Sequence, residues 1–275
     1  MEIPVDAPGG PRVLYEDEWV VAVHKPPRTH SAPGRGGNDL CAWAFERYPE
    51  LRVSGGLPGR HSGGEGGLLH RLDYETSGLV LFARNPAAFA SLMDQQAKGG
   101  FYKEYIAFSS PSPALEPLGS APRTGFPEGV LHGNWAMARE DGDAPALTAM
   151  LRAASAEGTC GMRCAFRPFG PKGAHVACLA PETAGSRTIY SSDILAASPA
   201  SGTESCIDTR TMGLRIGLSR GFRHQIRAQL AWIGLPISGD PLYGGRMDER
   251  LRLYANRLSF THPGTGAPFS IEADA

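Results

Sequence analysis

The sequence predicts a mixed α and β fold. Three observations predict it. Two short apolar strands flank an acidic turn near the start, a fully punctuated helix follows at residues 85–99, and further strand-like stretches recur at 79–82, 101–108 and 214–218. The 275 residues suit one large domain or two intimate subdomains, with ample material for a core.

The first pair of strands is Val13–Tyr15 and Trp19–Val23, separated by Glu16-Asp17-Glu18. Lys25-Pro26-Pro27 ends the second, because proline cannot donate to a ladder. Asp39 to Tyr48 reads as a helix, and the Gly-rich, polar stretch 52–67 as a loop. Leu79 to Phe82 is a buried-strand candidate. Asn85 then has the side chain of an N-cap, and Pro86 suits the first helical position, where its missing N–H costs nothing. Phe89, Leu92, Met93 and Gln96 follow at helical spacing, Lys98 sits in the last turn, and Gly99 can take the left-handed cap. Phe101 to Phe108 reads as a strand and Pro111 onward as loop. Residues 153–209, rich in Ala, Ser, Gly and Pro, read as an inserted or weakly structured segment. Leu214 to Leu218 is strand-like. His224 to Ile233 is helix-like, with Ile226, Leu230 and Ile233 on one face and Gly234 and Pro236 ending it. Trp19, Trp43 and Trp232 fall in apolar stretches and are expected in the core.

Composition excludes several classes. Hydrophobic residues make up 41% and charged residues 20%, values of an ordinary soluble domain, and 35 Gly with 23 Pro imply many turns. A formal net charge of −1 does not point to nucleic acid by bulk charge, so any such surface must come from local clustering of Arg and Lys. Met1 to Gly10 lacks the layout of a signal peptide, and no apolar run is long enough to span a bilayer, so a cytoplasmic location is expected. The five cysteines, Cys41, Cys160, Cys164, Cys178 and Cys206, do not form a disulfide framework. Cys160 and Cys164 with Cys178 or His175 fit no common zinc spacing, and reduced cytosolic thiols are the expected state.

The chemistry is concentrated in Leu69-His70-Arg71-Leu72-Asp73-Tyr74-Glu75-Thr76-Ser77-Gly78-Leu79, a polar knot between a Gly-rich loop and an apolar strand. Asp73 can act as nucleophile or base, and Thr76 and Ser77 can hydrogen-bond to backbone or carboxylate. Spacing alone equally accommodates an Asp that merely caps its own turn.

The run His-Arg-Leu-Asp, two residues, then Thr-Ser-Gly-Leu resembles the signature of the RluA-type family of pseudouridine synthases at eight of eight specified positions. Three further segments resemble family motifs in the same order. They are Tyr15–Glu18 with the strand to Val23 and Lys25-Pro26; Lys103-Glu104-Tyr105-Ile106-Ala107; and His224–Arg227 followed by Gly234–Ile237 and Gly239–Gly244. The likeness covers roughly residues 13–152 and 211–262 and leaves 153–209 outside.

The resemblance implies an α+β fold, the pseudouridine synthase fold, with a bent, mostly antiparallel mixed sheet and flanking helices. It implies a single catalytic domain over 1–275 with 153–209 as an insertion. The first motif begins by Val13, so no small basic RNA-binding module is expected ahead of it. The implied activity is isomerisation of specific uridines in rRNA or tRNA without metal or organic cofactor, by a protein expected to be a monomer. Asp73 matches the nucleophile, and Tyr105 the aromatic residue that packs on the target base. Arg71 matches a position that helps displace that base from its stack. The family usually carries an Arg, paired with the catalytic Asp, where this chain has Phe222. Arg223 is the expected replacement and Arg220 the alternative, since an unpaired buried carboxylate tends to protonate.

Arg71, Lys25, Arg220, Arg227 and His70 are the candidate RNA contacts. Lys25 stays open between touching RNA and buttressing the site. His70 is read as structural rather than catalytic, and His224 as a brace for the helix start. A non-catalytic RNA-binding or RNA-folding protein on the same scaffold is the alternative that Phe222 keeps alive. A hydrolase using Asp73 is a more distant one.

Overall fold

The computed structural model describes residues 9–34, 39–55, 64–111, 144–156, 160–201 and 210–273. Cys206, and the loops expected at 56–63 and across 112–143, lie outside the described residues. The chain divides into two compact units, one of residues 4–104 with 254–275 and the other centred on 105–253. Mixed α and β structure with a mostly antiparallel sheet is present, as expected.

In the first unit β1 (Arg12–Glu16) pairs antiparallel with β2 (Val20–Lys25), which pairs antiparallel with β3 (Ser77–Ala83). Both β2 and β3 are buried along their whole length, which is why they read as continuous apolar runs rather than alternating ones. Strand β9 (Leu253–Thr261) lies parallel to β3, and β10 (Pro268–Glu272) antiparallel to β9. Helix α1 (Leu40–Arg47) starts at Asp39, whose side chain accepts from the Ala42 N–H at 2.8 Å. The one-turn helix α2 (Leu51–Ser54) occupies the start of a stretch expected to be loop. Helix α3 (Pro86–Lys98) has the predicted punctuation. Asn85 accepts from the Ala88 N–H at 2.8 Å, and Gly99 takes φ 78°.

Strand β4 (Tyr102–Ser109) leads into the second unit. There α4 (Ala144–Ala156) is tied to β7 (Tyr190–Pro199) by Ser155, whose hydroxyl donates to the Ile194 carbonyl at 2.7 Å. Strand β5 (Gly161–Phe169) pairs through its first half with β7 and through its second half with β6 (His175–Leu179), and β7 pairs with β8 (Met212–Leu218), all antiparallel. Residues 160–201 are therefore built of paired strands, and the weakly structured reading of 153–209 does not hold for them.

Helix α5 (Gln225–Trp232) is buried on every side rather than along one face. Its polar residues are largely paired, the side-chain oxygen of Gln229 being an exception. Gln225 donates to the Ser191 carbonyl and the Ser192 hydroxyl, and Gln229 donates to the Met162 carbonyl.

Of the three tryptophans expected in the core, only Trp232 is fully buried, and Trp19 and Trp43 are half-buried. Cys41, Cys160, Cys164 and Cys178 are buried free thiols. Burial pushes Cys41 and Cys160 up to about 12, which keeps them protonated and unreactive. Among the described residues no helix is long and apolar enough to cross a membrane.

Candidate active site

Asp73 stands half-exposed on the loop that leads into β3. Residues 68–70 first run beside β3. Leu68 bridges Phe82, the Leu69 N–H donates to the Leu81 carbonyl, and the Leu81 N–H donates to His70 Nε2 at 3.3 Å. The chain then turns at Asp73, whose carbonyl accepts from the Thr76 N–H at 3.1 Å. Gly78 re-enters the strand at φ 115°, where an added Cβ would lie 2.2 Å from the Ala255 carbonyl oxygen. The glycine of the Thr-Ser-Gly-Leu run is thus required by close strand packing.

Both neighbours of Asp73 are held by side chains aimed at their backbone. The Ser31 hydroxyl accepts from the Leu72 N–H and donates to the Leu72 carbonyl, both at 2.9 Å. The Tyr74 carbonyl accepts from Lys25 Nζ and from the Thr29 N–H, each at 3.3 Å. Lys25 also donates to the carbonyls of Pro26 at 3.0 Å and Thr29 at 2.9 Å, and its side chain is inaccessible to solvent. One ammonium therefore ties the end of β2 to the loop bearing Asp73. Such support holds the backbone beside a reactive side chain in place.

This geometry corrects two expectations. Lys25 has no surface to offer RNA, and of its two readings the buttress is the one present. His70 is likewise removed from the RNA contacts. It is buried against Phe101, with ring centroids 5.7 Å apart, and its Nε2 serves β3. Burial, and then the nearby Lys103 charge, hold His70 well below the usual imidazole range. Lys103 is itself buried beside Phe101, which brings it down to about 8.

Arg71 is exposed and reaches Glu65 at 3.4 Å, and Arg28 reaches Glu75 at 3.5 Å. Both exposed ion pairs are weak ties that a stronger anion can displace. Ser31, Thr29 and Arg28 were not singled out from the sequence. Their only signal is position, a few residues beyond Lys25-Pro26.

In the second unit Tyr105 lies buried in β4. Phe222 fills an aromatic cluster, stacked on Phe166 with centroids 4.8 Å apart and planes 6° from parallel, and 5.1 Å from the Tyr190 ring. Arg220 is exposed, with its guanidinium 5.9 Å from the Tyr190 ring centre. Arg223 is exposed and donates to the Gly173 carbonyl. His224, at φ 56°, opens α5 and sits 3.1 Å from the Tyr243 hydroxyl, a brace as expected.

Arg227 is a third correction. It is 4% exposed, and its Nε and one terminal nitrogen each lie 2.7 Å from the Asp240 carboxylate, so it is an internal ion pair and not a surface for phosphate. Among the described residues no cluster of metal-ligating side chains occurs.

Comparison with known proteins agrees with the motif reading. The RNA pseudouridylate synthase family matches residues 19–232. An uncharacterized RNA pseudouridine synthase of Chloroflexus aurantiacus is 29% identical over 86% of this chain and 56% of its own length. Ribosomal large subunit pseudouridine synthase C of Escherichia coli is 26% identical over 95% of this chain and 65% of its own length. The chain thus spans between about half and two thirds of these relatives. Human RNA Pseudouridylate Synthase Domain Containing 1 has the same fold, with a TM-score of 0.58 at 16% identity over 98% of this chain and 86% of that one. The family match runs through both units and takes in the Asp73 loop and helix α5; the chain belongs to the RNA pseudouridylate synthase family.

Proposed function

We propose that this chain isomerises uridine to pseudouridine in RNA and that Asp73 is the nucleophile. The observation that carries the proposal is the clamp on both sides of Asp73, which fixes the backbone at Leu72 and Tyr74 within an eight-position family signature and leaves Asp73 itself half-exposed. The carboxylate adds to the target nucleotide, at the base or at the sugar C1′. The N1–C1′ bond breaks, the uracil turns, a C5–C1′ bond forms, and the C–O bond to Asp73 breaks to release the free carboxylate. Loss of the C5 proton and gain of a proton at N1 complete an isomerisation with no net redox change.

Within this proposal Tyr105 packs on the target base, and its phenol can help remove the C5 proton. Arg71 fills the gap left by the displaced base, for which a planar guanidinium is well shaped. Arg223 is the cationic member of the catalytic set, with Arg220 as the alternative. The name of the Escherichia coli relative makes ribosomal large-subunit RNA the first substrate to examine, with transfer RNA next. The protein is proposed to act as a cytoplasmic monomer and as a single catalytic domain in which 153–209 is an insertion.

The test is to map pseudouridines in ribosomal and transfer RNA from cells with and without the gene. Loss of at least one site, restored by the intact gene and not by an Asp73→Asn copy, is expected. Identical maps would overturn the proposal.

A further inference from the structure

We propose that the Tyr74 and His30 rings form a fixed stacking platform for an RNA base next to the target uridine. The inference rests on the isomerase reading above and adds a binding subsite to it.

Tyr74 is 44% exposed, unusual for a large aromatic side chain in a loop whose neighbours Leu72 and Thr76 are buried. Its ring lies against His30, with centroids 4.7 Å apart and planes inclined by 38°, and His30 is exposed too. Neither ring springs from loose backbone. The Tyr74 carbonyl is held by Lys25 and Thr29, and the His30 carbonyl accepts from the Leu40 N–H at 2.8 Å. The surface is therefore ordered before any ligand arrives, which lowers the entropic cost of stacking on it.

Arg28 and Arg71, close in sequence to His30 and Tyr74, have side chains 63% and 67% exposed, and each meets a carboxylate. Arg28 does so from φ 57°, a conformation that costs a non-glycine residue free energy and recurs at binding sites. Exposed aromatic rings with flanking guanidiniums are the composition that takes single-stranded RNA by stacking and phosphate contact.

Displacing a base from its stack leaves the adjacent bases without a partner. Tyr74 follows Asp73 directly, and its exposed ring, set against His30, offers a stacking face on the loop that bears the nucleophile to a nucleotide beside the target. Any base suffices, because every base has a π-face.

The experiment measures tritium release from [5-³H]uridine RNA and separates KM from kcat. Tyr74→Ala is expected to raise KM about tenfold or more, with kcat changed less than about threefold. Tyr74→Phe restores KM, and His30→Ala raises it less than Tyr74→Ala does. On RNA with an abasic residue on one side of the target, the intact protein and Tyr74→Ala become equal. Thermal melting checks that each variant folds. The platform is refuted if Tyr74→Ala leaves KM unchanged, if Phe is as poor as Ala, or if the Ala penalty persists with abasic residues on either side. An intact protein that releases no tritium instead overturns the isomerase reading, and the platform falls with it.

Discussion

Lys25 and Arg227 lie one in each unit, were both candidate RNA contacts, and are both buried, yet they hold different kinds of group. Arg227 faces a carboxylate, so charge is cancelled where it sits. Lys25 donates to three main-chain carbonyls, those of Pro26, Thr29 and Tyr74. The ion pair locks helix α5 to the turn at Asp240. The carbonyl cage knots three separate points of the chain around the residue next to Asp73. A buried cation thus serves rigidity in one unit and aims a reactive loop in the other, and substitution should separate the two uses.

The largest effect is expected at the ion pair. Arg227→Met strands a buried Asp240 carboxylate, so it should cost about 3–5 kcal/mol in denaturant unfolding. The double variant Arg227→Met with Asp240→Leu should recover much of that loss. If Arg227→Met costs less than about 1 kcal/mol, the pair is not the lock described. Lys25→Met removes the donor to these three carbonyls, and about 1–3 kcal/mol is expected. Its signature is kinetic: kcat should fall at least tenfold, because the Tyr74 backbone and with it Asp73 are released. Unchanged kcat would remove the distinction between the two cations.

A smaller, pH-dependent effect belongs to Lys103 and His70. Lys103 is charged at neutral pH at a cost, since burial lowers its folded pKa from 10.5 to about 8. The unfolded chain therefore holds more protons between those values, and stability should rise across that window as pH increases. His70 stays neutral in the fold, so stability should fall as pH drops below its usual 6.5. Lys103→Met should abolish the alkaline rise and, by removing a like charge, soften the acid fall. Unfolding midpoints at pH 5, 7.5 and 10 check both signs, and an unaltered profile in Lys103→Met would contradict the assignment.

Much of the first unit was legible because its signals are local. Asn85, Pro86 and Gly99 each act within one helical turn, and β2 and β3 declare themselves by unbroken apolar runs. Strands β5 and β7 were not legible. They carry Arg163, Arg167, Pro168, Ser191, Ser192 and Asp193, residues poor in strand preference, and form because neighbours pair with them. Helix α5 misled in another way. The sequence puts Ile226, Leu230 and Ile233 on one face, and only partners distant in sequence reveal Gln225, Arg227 and Gln229 as interior too. The same limit applies at the candidate site. Asp73 was found from its motif, but the burial of Lys25 and His70, and the grip of Ser31 on Leu72, depend on contacts across 41 to 49 positions or on strand β3.

The most direct measurement is tritium release from [5-³H]uridine-labelled RNA of cells lacking the gene, with purified intact protein beside Asp73→Asn. Release by the intact protein and none by the variant is the predicted result, with both proteins melting alike. Equal release by the two would show that the carboxylate of Asp73 is not the nucleophile, and the account of the loop that holds it would fail.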